Sequence, residues 1–138
     1  MRVRLFLLLL LSMGVHLHGD FVLVGGSGFP KNEISATTLK RLFLGHLSFL
    51  EGERITLHQI EGDSLKSFCE KHLKVSLTNY ERRWARRIFT GKGRVPRTFK
   101  DEGSMLKSLL EQEHGLGFVN RSTTLPEGVR VINIIQGD

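Results

Sequence analysis

The chain lacks the cysteines that a disulfide scaffold needs, since only one occurs among its 138 residues. It also lacks an apolar run of about 20 residues, the length that a membrane-spanning helix requires. Its composition is that of a globular protein, with 40% hydrophobic and 25% charged residues, which excludes intrinsic disorder. Fifteen glycines exclude a coiled coil. These values predict one small domain rather than two.

The first 19 residues differ in character from the rest of the chain. Arg2 and Arg4 precede an apolar run of roughly 10 residues, and charge returns at Asp20. This order is typical of a secretory signal peptide, with an uncleaved N-terminal anchor as the alternative. We therefore expect a signal peptide over residues 1–19 and a periplasmic or secreted domain over residues 20–138. That domain would not be an integral membrane protein.

Positive charge is concentrated between Tyr80 and Lys100. Eight side chains in this segment are arginine or lysine, and Glu81 is its one acidic residue. Such a local excess favours an anionic partner, although a solvated helix face followed by a basic loop would look the same. Arginines also flank Trp84, as in a nucleic-acid-binding face, but no recognised nucleic-acid motif accompanies them. We expect no nucleic-acid partner.

Hydrophobic periodicity predicts an α/β fold. Short apolar or alternating runs predict strands, and apolar residues at helical spacing recur between them. The alternation indicates a single three-layer domain, with a largely parallel or mixed sheet of about four strands and helices on both faces. The predicted strands cover residues 21–24, 55–60, 117–120 and 129–135. The longest predicted helix carries an apolar stripe of Leu77, Tyr80, Trp84 and Ile88.

The residues that could carry metal or acid–base chemistry favour structural roles. Cys69 and His72 stand one helical turn apart, but two ligands are too few for a closed zinc site. Cys69 lies on an apolar face and is expected to be a buried thiol. His58 and Glu61 have no nucleophile or metal motif beside them, and Asp63 suits a helix N-cap. We expect no catalytic residue, no metal, no cofactor and no enzymatic activity.

Two glycine-bearing segments could approach an anion. Residues 25–28 follow a predicted strand but lack dinucleotide-fingerprint spacing, so they are either an anion contact or a flexible strand exit. Residues 90–94 read Thr-Gly-Lys-Gly-Arg without the spacing of a Walker A loop. In this loop, glycines permit close backbone approach, and Lys92 and Arg94 supply charge. The predicted oxyanion contacts of the loop are Thr90, Gly91, Lys92, Gly93 and Arg94.

Three stretches together resemble a known family. They are residues 39–45 (LKRLFLG), Trp84 followed by residues 88–96 (IFTGKGRVP), and residues 114–119 (HGLGFV). In this order they resemble the phosphate-binding component of bacterial phosphate ABC transporters. That family has an "(I/L)FLGK"-like turn, a Trp before "IFTGKG-x-PP", and a "GAIGYV"-like strand. The likeness covers residues 21–133.

The resemblance implies a type II periplasmic-binding-protein topology, with this chain matching one of the two lobes that close over a ligand. It implies a non-catalytic exported protein that binds phosphate or a similar oxyanion weakly for an ABC transporter or a sensor. An ABC permease, a sensor kinase or another envelope protein would then be the partner. The alternative is an envelope protein–protein interaction module that has lost the ligand site.

The ligand turn of those relatives is where this chain departs most. Their pattern is R-A-D-G-S-G-T, whereas the matching stretch here reads Q-I-E-G-D-S-L. Gly62 alone keeps its type and place, and Gln59 replaces the arginine. Glu61 replaces the aspartate and Asp63 replaces the serine, so one carboxylate is added, and both carboxylates would repel an anion. Gly62 and Ser64 are expected to help the loop of residues 90–94 only as weak donors.

Overall fold

The structure, a computed structural model, describes residues 20–136, so the expected signal peptide lies outside the described residues. The main sheet has six strands, and two further strands form a small hairpin. The strands are β1 Phe21–Gly25, β2 Glu33–Ser35, β3 Phe49–Leu50, β4 Glu53–Arg54, β5 Thr56–Ile60, β6 Arg97–Phe99, β7 Gly115–Asn120 and β8 Arg130–Ile135. The helices are α1 Ala36–Phe43, α2 Asp63–Phe68, α3 Leu77–Phe89 and α4 Glu102–Glu111, with a π-helical turn Cys69–Leu73 continuing α2.

The main sheet is mixed, with the strand order β2-β8-β1-β7-β5-β6. Five strands share one direction, and β1 runs antiparallel to both of its neighbours. The α/β class is confirmed, but the expected number of about four strands is wrong. Sequence periodicity missed β2 and β6, because each has three residues, too few to show an alternation. Both lie at the edges of the sheet.

The core lies on both faces of the sheet. Successive residues of β1 point to opposite faces, so Leu23 packs in the cluster with α1, α2 and α3, while Val24 packs in the cluster with α4. On the first face, the ring of Phe68 stacks on that of Phe118 with centroids 3.9 Å apart. Cys69 is fully buried there, as expected. Burial, assisted by nearby carboxylates, raises the pKa of its thiol to about 12.

Helix α3 confirms most of its predicted apolar stripe. Tyr80 and Trp84 are buried, whereas Ile88 is exposed, contrary to the expectation. Ser76 caps the start of the helix by accepting a hydrogen bond of 3.1 Å from the backbone N–H of Asn79. The stripe ends early because Ile88 lies in the last turn of α3, beyond the residues that pack on the core.

Candidate functional site

The Thr-Gly-Lys-Gly-Arg loop connects the end of α3 to the edge strand β6. Thr90 is the C-cap of α3, and its hydroxyl donates a hydrogen bond of 3.0 Å to the carbonyl of Arg86. That hydroxyl proton is therefore used by the helix end. Gly91 and Gly93 have φ angles of 71° and 80°, a region that disfavours residues with a Cβ. The two glycines thus let the chain reverse sharply between α3 and β6.

Four arginines from separate elements line one cavity of about 80 Å³, which we call the arginine cavity. Arg54 comes from β4, Arg87 from α3, Arg94 from the loop and Arg97 from β6. None of the four forms an ion pair with any residue that the structure describes, and no carboxylate lines the cavity. Because like charges repel, an anion between these guanidinium groups would relieve an unfavourable arrangement.

Arg87 is the most enclosed of these four side chains. Its Nε is buried and has no hydrogen-bond partner among the described residues. The side chain passes between two turns, since a Cβ built on Gly45 would lie 2.8 Å from Nε and one built on Gly93 would lie 3.3 Å from Nη2. Its guanidinium carbon also lies 5.6 Å from the ring centroid of Trp84, within cation–π range. Gly45 therefore makes room for Arg87, whereas a Cβ on Gly93 would only be in tight contact with it.

A wider groove of about 540 Å³, which we call the helix groove, runs along α3. It is open to solvent and lined mainly by cations. Its lining includes Thr90 and five basic residues, Arg82, Arg83, Arg86, Arg87 and Lys92. The predicted contacts of the loop are thus divided, because Thr90 and Lys92 line the helix groove whereas Gly93 and Arg94 line the arginine cavity. Gly91 lines neither of the two.

The remaining predicted contacts, Gly62 and Ser64, lie at the opposite end of β5. Strands β5 and β6 are parallel, with Ile60 beside Phe99 at their carboxyl ends. The residues that follow β5 therefore lie beyond this end. Arg94 precedes β6 and lies with the arginine cavity at the amino end. The structure does not bring the two groups of predicted residues together around one ligand.

The turn after β5 carries carboxylates rather than cations. Gly62, with a φ of 90°, is the N-cap of α2. Asp63 is the first residue of the helix, so the prediction that Asp63 is its N-cap is wrong. No side chain caps this helix of six residues. Glu61 and Asp63 are both exposed beside it. This turn therefore has little to attract an anion.

Gln59, which stands where the resembling family has an arginine, contributes to packing. The Tyr80 hydroxyl donates a hydrogen bond of 2.6 Å to Gln59 Oε1, and Gln59 Nε2 donates one of 3.0 Å to Thr98 Oγ1. Burial raises the pKa of Tyr80, which keeps its hydroxyl protonated. The chain of bonds joins α3, β5 and β6. No sequence signal indicated this role, because the three residues are far apart along the chain.

His58 is buried and fully hydrogen-bonded. Its Nδ1 lies 3.0 Å from the carbonyl oxygen of Thr56 and therefore carries the ring proton, since a carbonyl only accepts. Its Nε2 lies 3.1 Å from Ser108 Oγ and accepts from that hydroxyl. The ring stacks on Phe99 with centroids 5.5 Å apart. Burial, with a smaller effect of Arg97, lowers the pKa of His58 to about 4, so the ring is neutral near pH 7.

The described part of the chain has no grouping of side chains suited to a metal. Among residues 20–136, no three His, Cys, Asp or Glu side chains lie close enough together to hold an ion. Within the same residues, no helix is both long and apolar enough to cross a membrane.

Solved structures of phosphate-binding proteins share this fold. A protein described as a phosphate ABC transporter substrate-binding protein, from Clostridium perfringens with bound phosphate, aligns with a TM-score of 0.60 and 12% identity over 83% of this chain and 44% of its own. PstS from Borrelia burgdorferi aligns with a TM-score of 0.61 and 9% identity over 83% and 46%. An ABC-type phosphate transport receptor from Vibrio cholerae aligns with a TM-score of 0.58 and 11% identity over 86% and 47%.

These alignments establish the fold. The chain spans less than half the length of each of these structures, which fits a single lobe, as the resemblance implied. No protein-family model matches the sequence, and no curated protein matches it.

Proposed function

We propose that this chain is a non-catalytic, exported, solute-binding-like protein that binds phosphate or a similar oxyanion weakly in the arginine cavity. The observation that carries the proposal is that four arginines and no carboxylate line one cavity. The fold shared with phosphate-binding proteins supports it further. In this role an ABC permease or a sensor kinase would be its partner.

The chemistry of the cavity suits binding better than catalysis. Guanidinium groups present rigid donor pairs that match the oxygens of phosphate, and the buried Nε–H of Arg87 would gain the acceptor it lacks. Arginines stay protonated, so they cannot act as general bases, and the cavity lining contains no histidine, cysteine or carboxylate.

The affinity should be low because three of the four arginines of the cavity are exposed. Arg54, Arg94 and Arg97 are exposed to solvent, where a charge pair contributes about 1 kcal/mol or less. We expect a dissociation constant on the order of 0.1–1 mM, which corresponds to about −4 to −5.5 kcal/mol. Salt should weaken the binding, because exposed charges are screened over about 8–10 Å.

Calorimetric titration of the protein with inorganic phosphate at low and high salt tests the proposal. The variant Arg54→Gln/Arg94→Gln should lose affinity by about tenfold, as expected for the loss of two partial charge contacts. The matched control is Lys66→Gln/Lys107→Gln, which removes the same charge from exposed positions on α2 and α4. Equal losses in both variants, or no wild-type binding below about 10 mM, would contradict oxyanion binding in the cavity.

Export is a separate part of the proposal. It is supported by the basic and then apolar N-terminal sequence. Mass spectrometry of the cell-envelope fraction should find a chain that begins near Val15 or Asp20. Recovery of the chain with intact Met1 in the cytosolic fraction would contradict export.

The second candidate function is that of an envelope interaction module without a ligand. One observation favours docking to another surface: the apolar side chains of Ile88 and Phe89, in the last turn of α3, are exposed. This role does not exclude oxyanion binding, because the exposed residues do not line the arginine cavity.

A further inference from the structure

Helix α3 ends in two large apolar side chains that the fold leaves uncovered. Phe89 is 92% exposed and Ile88 is 60% exposed. Val95, 43% exposed, follows on the far side of the loop. Scattered exposed apolar residues are ordinary on a protein surface, but a contiguous group indicates a contact surface. We call Ile88, Phe89 and Val95 the apolar tip.

The apolar tip adjoins the most cationic surface of the molecule. The helix groove begins next to it, with Arg82, Arg83 and Arg86 from the preceding turns of α3 and Lys92 from the loop. Glu81 is the one acidic residue of the segment from Tyr80 to Lys100. Glu81 lines a cavity with Ile88 and Val95, so the cations lie on one side of the apolar tip. An apolar end with cations beside it is complementary to a surface that is apolar inside and anionic outside.

The directions of the side chains distinguish between a bilayer and a protein groove. A helix that binds in a protein groove presents apolar residues three and four apart along one face. Ile88 has this spacing, because it lines a cavity of about 250 Å³ with Trp84 and Ala85. Phe89, the more exposed of the two side chains, does not line that cavity and points about 100° away from Ile88 on the helix. A fluid interface accepts side chains that diverge, whereas a preformed groove accepts one line of them. An added β-strand is also disfavoured, because β6 is short and Pro96 precedes it.

We propose that the apolar tip docks this protein onto an anionic membrane surface. Ile88 and Phe89 enter the interface between headgroups and acyl chains, and lipid phosphodiester groups occupy the helix groove. The protein then lies on the membrane without crossing it. The helix groove and the arginine cavity share Arg87, so the two kinds of binding are separated with variants of arginines that line only one of them.

Vesicle co-sedimentation tests the proposal. The protein should bind vesicles of equal parts phosphatidylglycerol and phosphatidylcholine, and bind pure phosphatidylcholine vesicles at least about tenfold more weakly. Ile88→Ser/Phe89→Ser should reduce binding about tenfold or more, because the apolar insertion is lost. The matched control is Val131→Ser/Ile135→Ser, which removes two exposed apolar side chains from β8 and should leave binding unchanged. All variants keep the same N-terminal segment, so differences between them report on the substituted residues.

The helix groove is tested with charge variants on the same vesicles. Arg82→Gln/Arg86→Gln should weaken binding to the anionic vesicles by more than about tenfold, at roughly fivefold per cation, and leave binding to phosphatidylcholine unchanged. Arg54→Gln/Arg94→Gln, the cavity variant, should keep more of the anionic-vesicle binding than Arg82→Gln/Arg86→Gln while binding phosphate about tenfold more weakly. Equal wild-type binding to both vesicle types, or equal binding by the apolar-tip variant and its control, would overturn the proposal. Absence of vesicle binding would also overturn it and leave a protein partner for this surface.

Discussion

Trp84 is joined to Phe43 by a hydrogen bond of 3.0 Å from the indole Nε1 to the main-chain carbonyl oxygen. The bond connects the middle of α3 to the last residue of α1, just before the turn that contains Gly45. It therefore holds α3 against α1 at the place where Arg87 passes beneath that turn. The indole is 7% exposed, so little water competes for the bond.

The first prediction concerns this indole. Trp84→Phe should lower the free energy of unfolding by about 1–2 kcal/mol, because the Phe43 carbonyl loses its donor, and Trp84→Ala by about 3–5 kcal/mol, because a cavity is added. Phe89→Ala, at an exposed position, is the control and should change stability little. Denaturant unfolding measures all three. A native fluorescence maximum equal to that of free tryptophan would contradict the burial of Trp84.

The second prediction separates a steric clash from backbone strain. Gly45→Ala places a Cβ 2.8 Å from Arg87 Nε at a φ of 84°. Gly52→Ala has the same φ, with nothing within 4 Å of the new Cβ. Both variants should lose about 1–2 kcal/mol of unfolding free energy, because alanine disfavours the left-handed conformation. Gly45→Ala should lose more than Gly52→Ala because of the clash, and it should weaken phosphate binding by displacing Arg87. Equal unfolding free energies for the two variants would show that Arg87 moves aside freely.

The third prediction concerns pH. The pKa of His58 is about 4 in the folded state, below the value of about 6.5 expected for an unfolded chain. The unfolded state therefore binds a proton more readily, and the stabilising contribution is present above pH 6.5 and is lost as the pH falls toward 4. The loss should total about 3 kcal/mol. Unfolding free energies measured at several pH values should fall over this range, and His58→Gln should flatten the dependence.

The fourth prediction concerns Cys69. Because the thiol is buried and its pKa is about 12, thiolate is scarce at pH 8 and reagent cannot reach it. A chromogenic disulfide reagent should label the native protein only as fast as the fold opens, and label the unfolded protein within seconds to minutes. Fast labelling without denaturant would mean that the helix carrying Cys69 opens locally.

Sequence patterning predicted the elements that have strong periodicity. Strand β5 alternates over five residues and was found, as was the buried face of α3 with Tyr80 and Trp84. Ile88 continues that spacing but is exposed. The prediction failed there because periodicity shows which side of a helix a residue faces and not where the core ends. The three-residue edge strands were missed for lack of length.

The candidate site was only half visible in the sequence. Gly93 and Arg94, predicted from the local pattern of glycine beside a cation, line the arginine cavity. Arg54 joins them through tertiary packing, since it lies in a two-residue strand remote in sequence. Arg87 belongs to the same basic segment as Arg94, but its place in the cavity depends on how α3 packs. Gly62 was assigned to the same ligand by resemblance, and strand direction separates it from Arg94. Parallel pairing of β5 with β6 was the missing information.

The position of β1 has a consequence for how the chain folds. This first strand lies between β7 and β8, with Leu23 beside Phe118 on one side and beside Ile132 on the other. Both neighbours are synthesised last among the described elements, so during translation β1 emerges long before either of them. Closing such long loops is entropically costly and slows folding. The middle of the sheet is therefore expected to form late, after residue 135 has emerged from the ribosome. Until then the apolar β1 stays accessible to chaperones.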